Sequence, residues 1–244
     1  SQTPLSSMLL YECLHDAGFP PGVVNLVTGS AGKVTTAMLE HPACRKLTFT
    51  GSTATGKQLM QQAGARITKL SLELGGHAPL LVFADVDLPT AVEQTVVAKF
   101  RNAGQSCIAP TRIYVQRAIF DDFAAAVTAR VAAMKVGNGL TEGVEMGPLF
   151  DQNQLDGVAA FVDDAVAKGA KVLTGGGRLQ GGEYDRGLYY APTVLSNISP
   201  NMRLTCEEVF GPVLPLIPFD SEAEAVAAAN NTEYGLAAYV LTRD

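Results

Sequence analysis

Paired cysteines, clustered histidines, a basic surplus and long apolar runs are all missing from this 244-residue sequence, and each absence closes a class of function. Cys13, Cys44, Cys107 and Cys206 lie far apart with no C-x-x-C pair, and His15, His41 and His77 are equally scattered. That spacing offers neither a zinc-ligand pattern nor a secreted disulfide framework, so no metal is expected. Free thiols in a reducing, cytoplasmic setting are expected instead. With 17% charged residues and a net charge of −6, there is no basic footprint for nucleic acid. No apolar run is long enough to span a bilayer and no signal-peptide pattern opens the chain, so no membrane partner is expected.

What is present suits a packed soluble chain. Apolar residues make up 47% of the sequence, ample for one large domain or two smaller ones. Both ends read as cut: "SQTPLSS" opens at a helix start and "YGLAAYVLTRD" stops on a strand pattern. A longer polypeptide is the expectation.

Along the chain, helical and strand periodicities alternate. A helix is predicted over 5–17, a buried strand over 22–29, a helix over 33–41, a strand over 45–51, a helix over 52–64 and a strand over 67–74. After Gly75-Gly76 the pattern restarts with a strand over 79–85, a helix over 87–103, a strand over 111–116 and a helix over 118–134. Residues 138–150 and 174–188 read as Gly-rich surface loops. Strands at 189–195, 212–219 and 237–242 follow, with a helix over 221–231 between the last two. Val- and Leu-rich strands alternating with helices indicate an α/β fold with a parallel sheet. A boundary at the Gly pair divides the chain into 1–74 and 75–244.

Four stretches carry candidate chemistry. "FTGSTATG" (49–56) sits where a strand hands over to a helix, where free N–H groups favour an anion; an ordinary capped turn reads the same way. "LELGG" (72–76) puts Glu73 on the strand face opposite Leu72 and Leu74. It is a solvent-facing carboxylate, or, if that face lines a cleft, a general base whose pKa partial burial would raise. "FRNAGQSC" (100–107) sets Cys107 in a polar turn, with Arg101 nearby and no adjacent histidine. A free thiol there is only a few per cent thiolate at neutral pH unless its surroundings activate it. "CEEVFGP" (206–212) is either a charged loop entering a strand or a glutamate for a ribose diol beside an aromatic for a planar ring.

Taken together, in this order and at these intervals, the four stretches resemble the aldehyde dehydrogenase superfamily over essentially the whole chain. "KFRNAGQ", "RKLTFTGST" and "ITKLSLELGG" are most similar to its succinate-semialdehyde dehydrogenase branch. The resemblance implies part of a Rossmann-type cofactor domain (1–74) followed by an α/β catalytic domain (75–244). It implies Cys107 as nucleophile and Glu73 as general base. Gly29, Gly51, Ser52 and Leu74 would serve NADP or NAD, Glu208 its nicotinamide ribose, and Phe210 the nicotinamide ring. Arg101 would meet the carboxylate of succinate semialdehyde, and a homo-oligomer of the full-length protein is implied.

Several features depart from that pattern. The family's oxyanion asparagine, a second carboxylate-binding arginine and an adenine-ribose lysine belong to a segment upstream of Ser1. Ala109 replaces a second cysteine common in the branch, which leaves glutarate semialdehyde or another short aldehyde open as substrate. Ser1 stands where many NAD-selective members carry a glutamate, and a serine there admits NADP. Three further readings stay open: an inactive fragment or interaction module, a cysteine hydrolase pairing Cys107 with His77, and a CoA-acylating variant.

Overall fold

Strand and helix alternate through the computed structural model, which describes residues 3–244. The chain divides into two compact units, Ser1–Leu74 and Gly75–Asp244.

The first unit runs α1 (Pro4–Asp16), α2 (Ala31–Glu40), β1 (Lys46–Thr50), α3 (Thr53–Gly64) and β2 (Lys69–Glu73). The two strands pair in parallel from Lys46 opposite Lys69 to Thr50 opposite Glu73. A small core of Leu39, Leu47, Leu59 and Ala63, with Phe49 and Leu70, holds α2 and α3 against them. The strand predicted over 22–29 does not form. Gly22 (φ 84°) and Gly29 (φ 150°) break the run, and Val23, Leu26 and Val27 are exposed. Apolar residues favour a strand only where a partner ladder takes up their backbone groups, and no described strand lies beside these residues.

The second unit runs β3 (Ala78–Val82), α4 (Leu88–Phe100), β4 (Pro110–Gln116), α5 (Phe120–Ala132), α6 (Gln152–Ala167), β5 (Lys171–Thr174), β6 (Thr193–Ser196), β7 (Val213–Phe219), α7 (Glu222–Asn230) and β8 (Tyr239–Leu241). Six strands form one sheet in the order β5-β6-β7-β4-β3-β8, parallel except for the β5–β6 pair. Alternation along the strands divides the core between two faces. Leu80 and Val82 of β3 and Ile113 and Val115 of β4 join the main core with α4, α5 and α6. Leu81 and Tyr114 point the other way, to Phe219 and the Ala225 face of α7.

Two corrections to the sequence reading fall in this unit. Residues 151–173, to which periodicity assigned nothing, contain α6 and β5; Leu155, Val158, Val162 and Ala165 of α6 are buried at helical spacing. The helix predicted to reach residue 103 ends at Phe100. Asn102 (φ 53°) and Ala103 (φ 55°) turn left-handed. Asn102 Nδ2 donates to the Gln105 carbonyl and Gln105 Nε2 donates to the Asn102 carbonyl, each at 3.0 Å. Side chains that bond nearby backbone compete with helix continuation, and this reciprocal pair wins.

Candidate active site

Cys107 is carried by that left-handed turn, between the end of α4 and the start of β4. Ala103 is buried, and left-handed backbone at a residue with a Cβ costs on the order of 1–2 kcal/mol, so surrounding contacts must impose it. Those contacts are specific. A Cβ on Gly104 would stand 2.2 Å from the Gly211 carbonyl oxygen, and one on Gly76 would stand 2.1 Å from that of Cys107. Only glycine allows either approach. Buried Gln105 pins the turn further, accepting from the Phe150 N–H at 3.0 Å. Tyr239 Oη donates to the Ile108 carbonyl at 2.8 Å from the other side.

On one side of the turn lies a pocket of about 800 Å³, lined by Val97, Arg101, Ser106, Ile108 and Tyr239 among others. Arg101 is therefore brought to the cavity beside the Cys107 turn, although Cys107 itself does not line it. On another side stands Glu208, half-buried, whose Oε1 accepts the Gly76 N–H at 3.1 Å. Burial pushes the Glu208 carboxyl up, against the Gly76 hydrogen bond and the Lys99 charge. Gly76 thus touches both Cys107 and Glu208. Phe210 is also half-buried, and its carbonyl accepts from Gln154 Nε2 at the start of α6.

The first unit holds the remaining predicted residues. Gly51 donates its N–H to the Glu73 carbonyl at 3.0 Å, so it sits directly at the end of the paired strands. Ser52 caps α3, accepting from the Thr55 N–H at 3.2 Å. That side-chain cap leaves further first-turn N–H groups of a 12-residue helix for an anion. Leu74 packs against Gly56, where a Cβ would stand 2.6 Å from Leu74 Cδ2. Gly29 lies in the exposed segment just ahead of α2. Glu73 is exposed at the end of β2, so the burial that the general-base reading was conditioned on is not found. Ser1, on which the cofactor choice turned, lies outside the described residues.

His77 is not placed as a base for Cys107. It is buried, its Nε2 meets the Thr205 carbonyl at 3.0 Å, and its Nδ1 meets Thr111 Oγ1 at 2.7 Å. Both ring nitrogens are engaged, and a neutral ring that donates to the carbonyl and accepts from the hydroxyl satisfies them. Burial above all, opposed by the Thr205 carbonyl and aided by Arg112 and Lys99, lowers its pKa from 6.5 to about 4. The sign follows directly. The unfolded chain binds a proton below about 6.5 that the fold refuses until about 4, so the stability His77 contributes is present above that window and lost through it. On the order of 2–3 kcal/mol should disappear between pH 7 and 4.5. Urea denaturation at both pH values, with His77→Gln losing much of the pH dependence, checks this.

Sequence reasoning missed Lys99 and Arg112. Each is a charged residue with less than 2% of its surface exposed, in an otherwise apolar run. Their signal was visible, since a charge at a core position of a helix or strand needs a reason. Among the described residues no group of His, Cys, Asp and Glu is arranged to hold a metal ion, and no helix is long and apolar enough to cross a membrane. All four cysteines are free thiols.

The aldehyde dehydrogenase family model matches residues 1–244. The chain is 47% identical over its whole length to a glutarate-semialdehyde dehydrogenase of Pseudomonas putida, covering 50% of that protein. It is equally 47% identical, again covering 50%, to the NADP(+) succinate-semialdehyde dehydrogenase GabD of Escherichia coli. Among solved structures, an E. coli NADP-dependent enzyme superposes with a TM-score of 0.96 at 46% identity, covering all of this chain and 50% of that one. A Staphylococcus aureus betaine aldehyde dehydrogenase in complex with NAD+ superposes with a TM-score of 0.96 at 38% identity, covering all of this chain and 48% of that one. The chain spans about half the length of the curated relatives it matches. Its α/β fold, its four ordered motifs and these likenesses agree: the chain belongs to the aldehyde dehydrogenase family.

Proposed function

We propose that the protein carrying this chain oxidises succinate semialdehyde to the dicarboxylic acid with NADP or NAD, using Cys107 as nucleophile. The observation that carries this reading is the setting of the Cys107 turn, with the Arg101-lined pocket on one side and the Glu208 carboxylate on another.

The residues present fit a dinucleotide. The α3 N-terminus, capped by Ser52 directly after Gly51, supplies backbone donors for a pyrophosphate. Glu208 spends one oxygen on the Gly76 N–H and keeps acceptor capacity for a ribose diol. Phe210 is the family's aromatic beside the nicotinamide, and Gly29 and Leu74 complete the cofactor residues. The unit Ser1–Leu74 then acts as part of the cofactor domain and Gly75–Asp244 as the catalytic domain. When bound, an oxidised nicotinamide supplies the hydride acceptor that aldehyde oxidation requires.

The chain's own residues supply the rest. The Cys107 thiolate adds to the aldehyde carbon, forming the C–S bond while the carbonyl pair moves onto oxygen. The Cys107 N–H donates to no protein acceptor among the described residues and is available to that oxyanion. After oxidation the substrate is held as a thioester on Cys107. Glu73, in the family's general-base role, takes a proton from water; the resulting C–O bond displaces the Cys107 sulfur and frees the acid.

Arg101 presents a guanidinium suited to a terminal carboxylate, so the substrate class is a short aldehyde that ends in one. Glutarate semialdehyde is the second reading, favoured by the P. putida relative at the same identity. A cytoplasmic setting and a homo-oligomer belong to the same proposal. Formation of reduced nicotinamide with succinate semialdehyde, glutarate semialdehyde and an uncharged aldehyde of similar length tests it. Arg101→Met is expected to lower kcat/KM for the acidic aldehydes roughly 10- to 100-fold and to leave the uncharged one unchanged. Equal loss on all three would sink the role given to Arg101.

A further inference from the structure

Gly76 lies between two residues of the proposed chemistry. Its N–H donates to Glu208 Oε1 at 3.1 Å, and a Cβ on it would stand 2.1 Å from the Cys107 carbonyl oxygen. A glycine has no side chain with which to hold such a place, so its neighbours must set it. The next residue, His77, is 2% exposed and stands just ahead of β3. Its ring reaches both flanking segments. Nδ1 meets Thr111 Oγ1 at 2.7 Å, four residues beyond Cys107. Nε2 meets the Thr205 carbonyl at 3.0 Å, three residues before Glu208. The Tyr234 ring, 5.8 Å from the His77 ring between centroids, and Leu236, 3.6 Å from a Cβ on Gly76, pack against the same two residues.

A neutral imidazole suits that span. Its two nitrogens sit on one rigid ring, an acceptor facing the Thr111 hydroxyl and a donor facing the Thr205 carbonyl. A leucine would fill the space and make neither bond. The backbone of His77 is fastened separately, since its carbonyl accepts Arg112 Nε at 3.0 Å and β3 pairs with β4 along its length. The ring is therefore not what joins the two strands. It adds a fixed spacing between the 107–111 and 205–208 segments, with Gly76 inside it.

We propose that His77 is a positioning residue: its imidazole sets the distance between the Cys107 turn and the Glu208 segment, so that Gly76 meets the Glu208 carboxylate without displacing Cys107. The consequence for cofactor binding rests on the reading of Glu208 as the ribose carboxylate. The geometric role of the ring does not.

The test uses the protein that carries this chain, with His77→Leu, Thr111→Val and Glu208→Gln. Two readouts require no assigned role. One is amide hydrogen exchange at Gly76, read by fragment mass spectrometry against Val115, a buried β4 amide that reports global opening. The other is iodoacetamide alkylation of Cys107, with Cys13, Cys44 and Cys206 as internal references. H77L is expected to speed exchange at Gly76 roughly tenfold more than at Val115. It should change the Cys107 alkylation rate about threefold or more and leave the other three thiols as they were. NADP and NAD should bind roughly five- to tenfold more weakly, with the aldehyde KM unchanged. Thr111→Val, which removes one end of the span and keeps the other, should give the same changes at smaller size. Equal acceleration at Gly76 and Val115, with Cys107 alkylation unmoved, overturns the proposal and leaves the ring a packing role. Thr111→Val matching the parent in both readouts overturns it as well. Glu208→Gln keeps an acceptor for the Gly76 N–H; if it binds dinucleotide as the parent does, the ribose reading fails, and exchange and alkylation still decide the role of His77. Should H77L not fold, Thr111→Val carries the same measurements.

Discussion

Cys107→Ala should abolish aldehyde oxidation in the protein that carries this chain, by a factor on the order of 10⁴–10⁶ in kcat, while dinucleotide binding persists. The asymmetry follows from how the turn is built. Its shape depends on Gly76, Gly104, Asn102 and the buried Gln105 rather than on the thiol, so truncating the side chain removes the proposed nucleophile and leaves the frame. Alkylation by iodoacetamide gives an independent check on the parent protein. Cys13 and Cys206 are exposed whereas Cys107 is only partly so. Access alone would make the two exposed thiols react first. If Cys107 reacts fastest, and keeps that lead below the usual thiol pKa of about 8.5, its surroundings have activated it. If all four cysteines follow exposure, the nucleophile is not activated in the protein tested.

The largest loss of stability is expected from Arg112→Met, on the order of 3–5 kcal/mol by chemical denaturation at neutral pH. Arg112 is 1% exposed and has no carboxylate partner among the described residues. Its Nε donates to the His77 carbonyl, its Nη1 to that of Ala228 and its Nη2 to that of Ala229, each at 3.0 Å. Ala228 and Ala229 lie in the last turn of α7, where carbonyls lack intrahelical donors and the macrodipole is negative. One guanidinium therefore closes the end of a helix and ties β4 to His77, the residue just ahead of β3. Methionine takes the guanidinium donors from the His77, Ala228 and Ala229 carbonyls, of which Ala228 keeps the Asn231 N–H and the Tyr114 hydroxyl. Arg112→Lys should recover little, because an ammonium cannot span three acceptors in the fixed fork that a guanidinium presents. A loss below about 1 kcal/mol for the methionine variant would show that water or rearrangement satisfies those carbonyls.

The sequence reading and the structure part company where backbone bonding outweighs residue type. Residues 22–29 have the apolar content of a strand but no described neighbour with which to pair, so the glycines turn the chain instead. Helical periodicity ran through Asn102 and Ala103, yet the Asn102–Gln105 pair ends the helix and creates the turn on which Cys107 stands. In α6 the signal was present at 155, 158, 162 and 165, and it went unassigned between two Gly-rich loops.

By itself the sequence determined the alternation of strands and helices, the parallel sheet and the order of the four motifs. These are local properties, since periodicity and turn chemistry act over a few residues. The residues nominated for cofactor, nucleophile and substrate lie on strand ends and turns, which sequence marks well. Only the tertiary structure decided that both ring nitrogens of buried His77 are engaged by Thr205 and Thr111, that Gly76 lies against both Cys107 and Glu208, and that Lys99 and Arg112 are buried charges. Those facts depend on residues separated by as many as 132 positions meeting at hydrogen-bond distance, as Gly76 and Glu208 do. A periodic pattern records which face of an element is buried; what the other chain segments place against that face is settled only when the sheet closes over it.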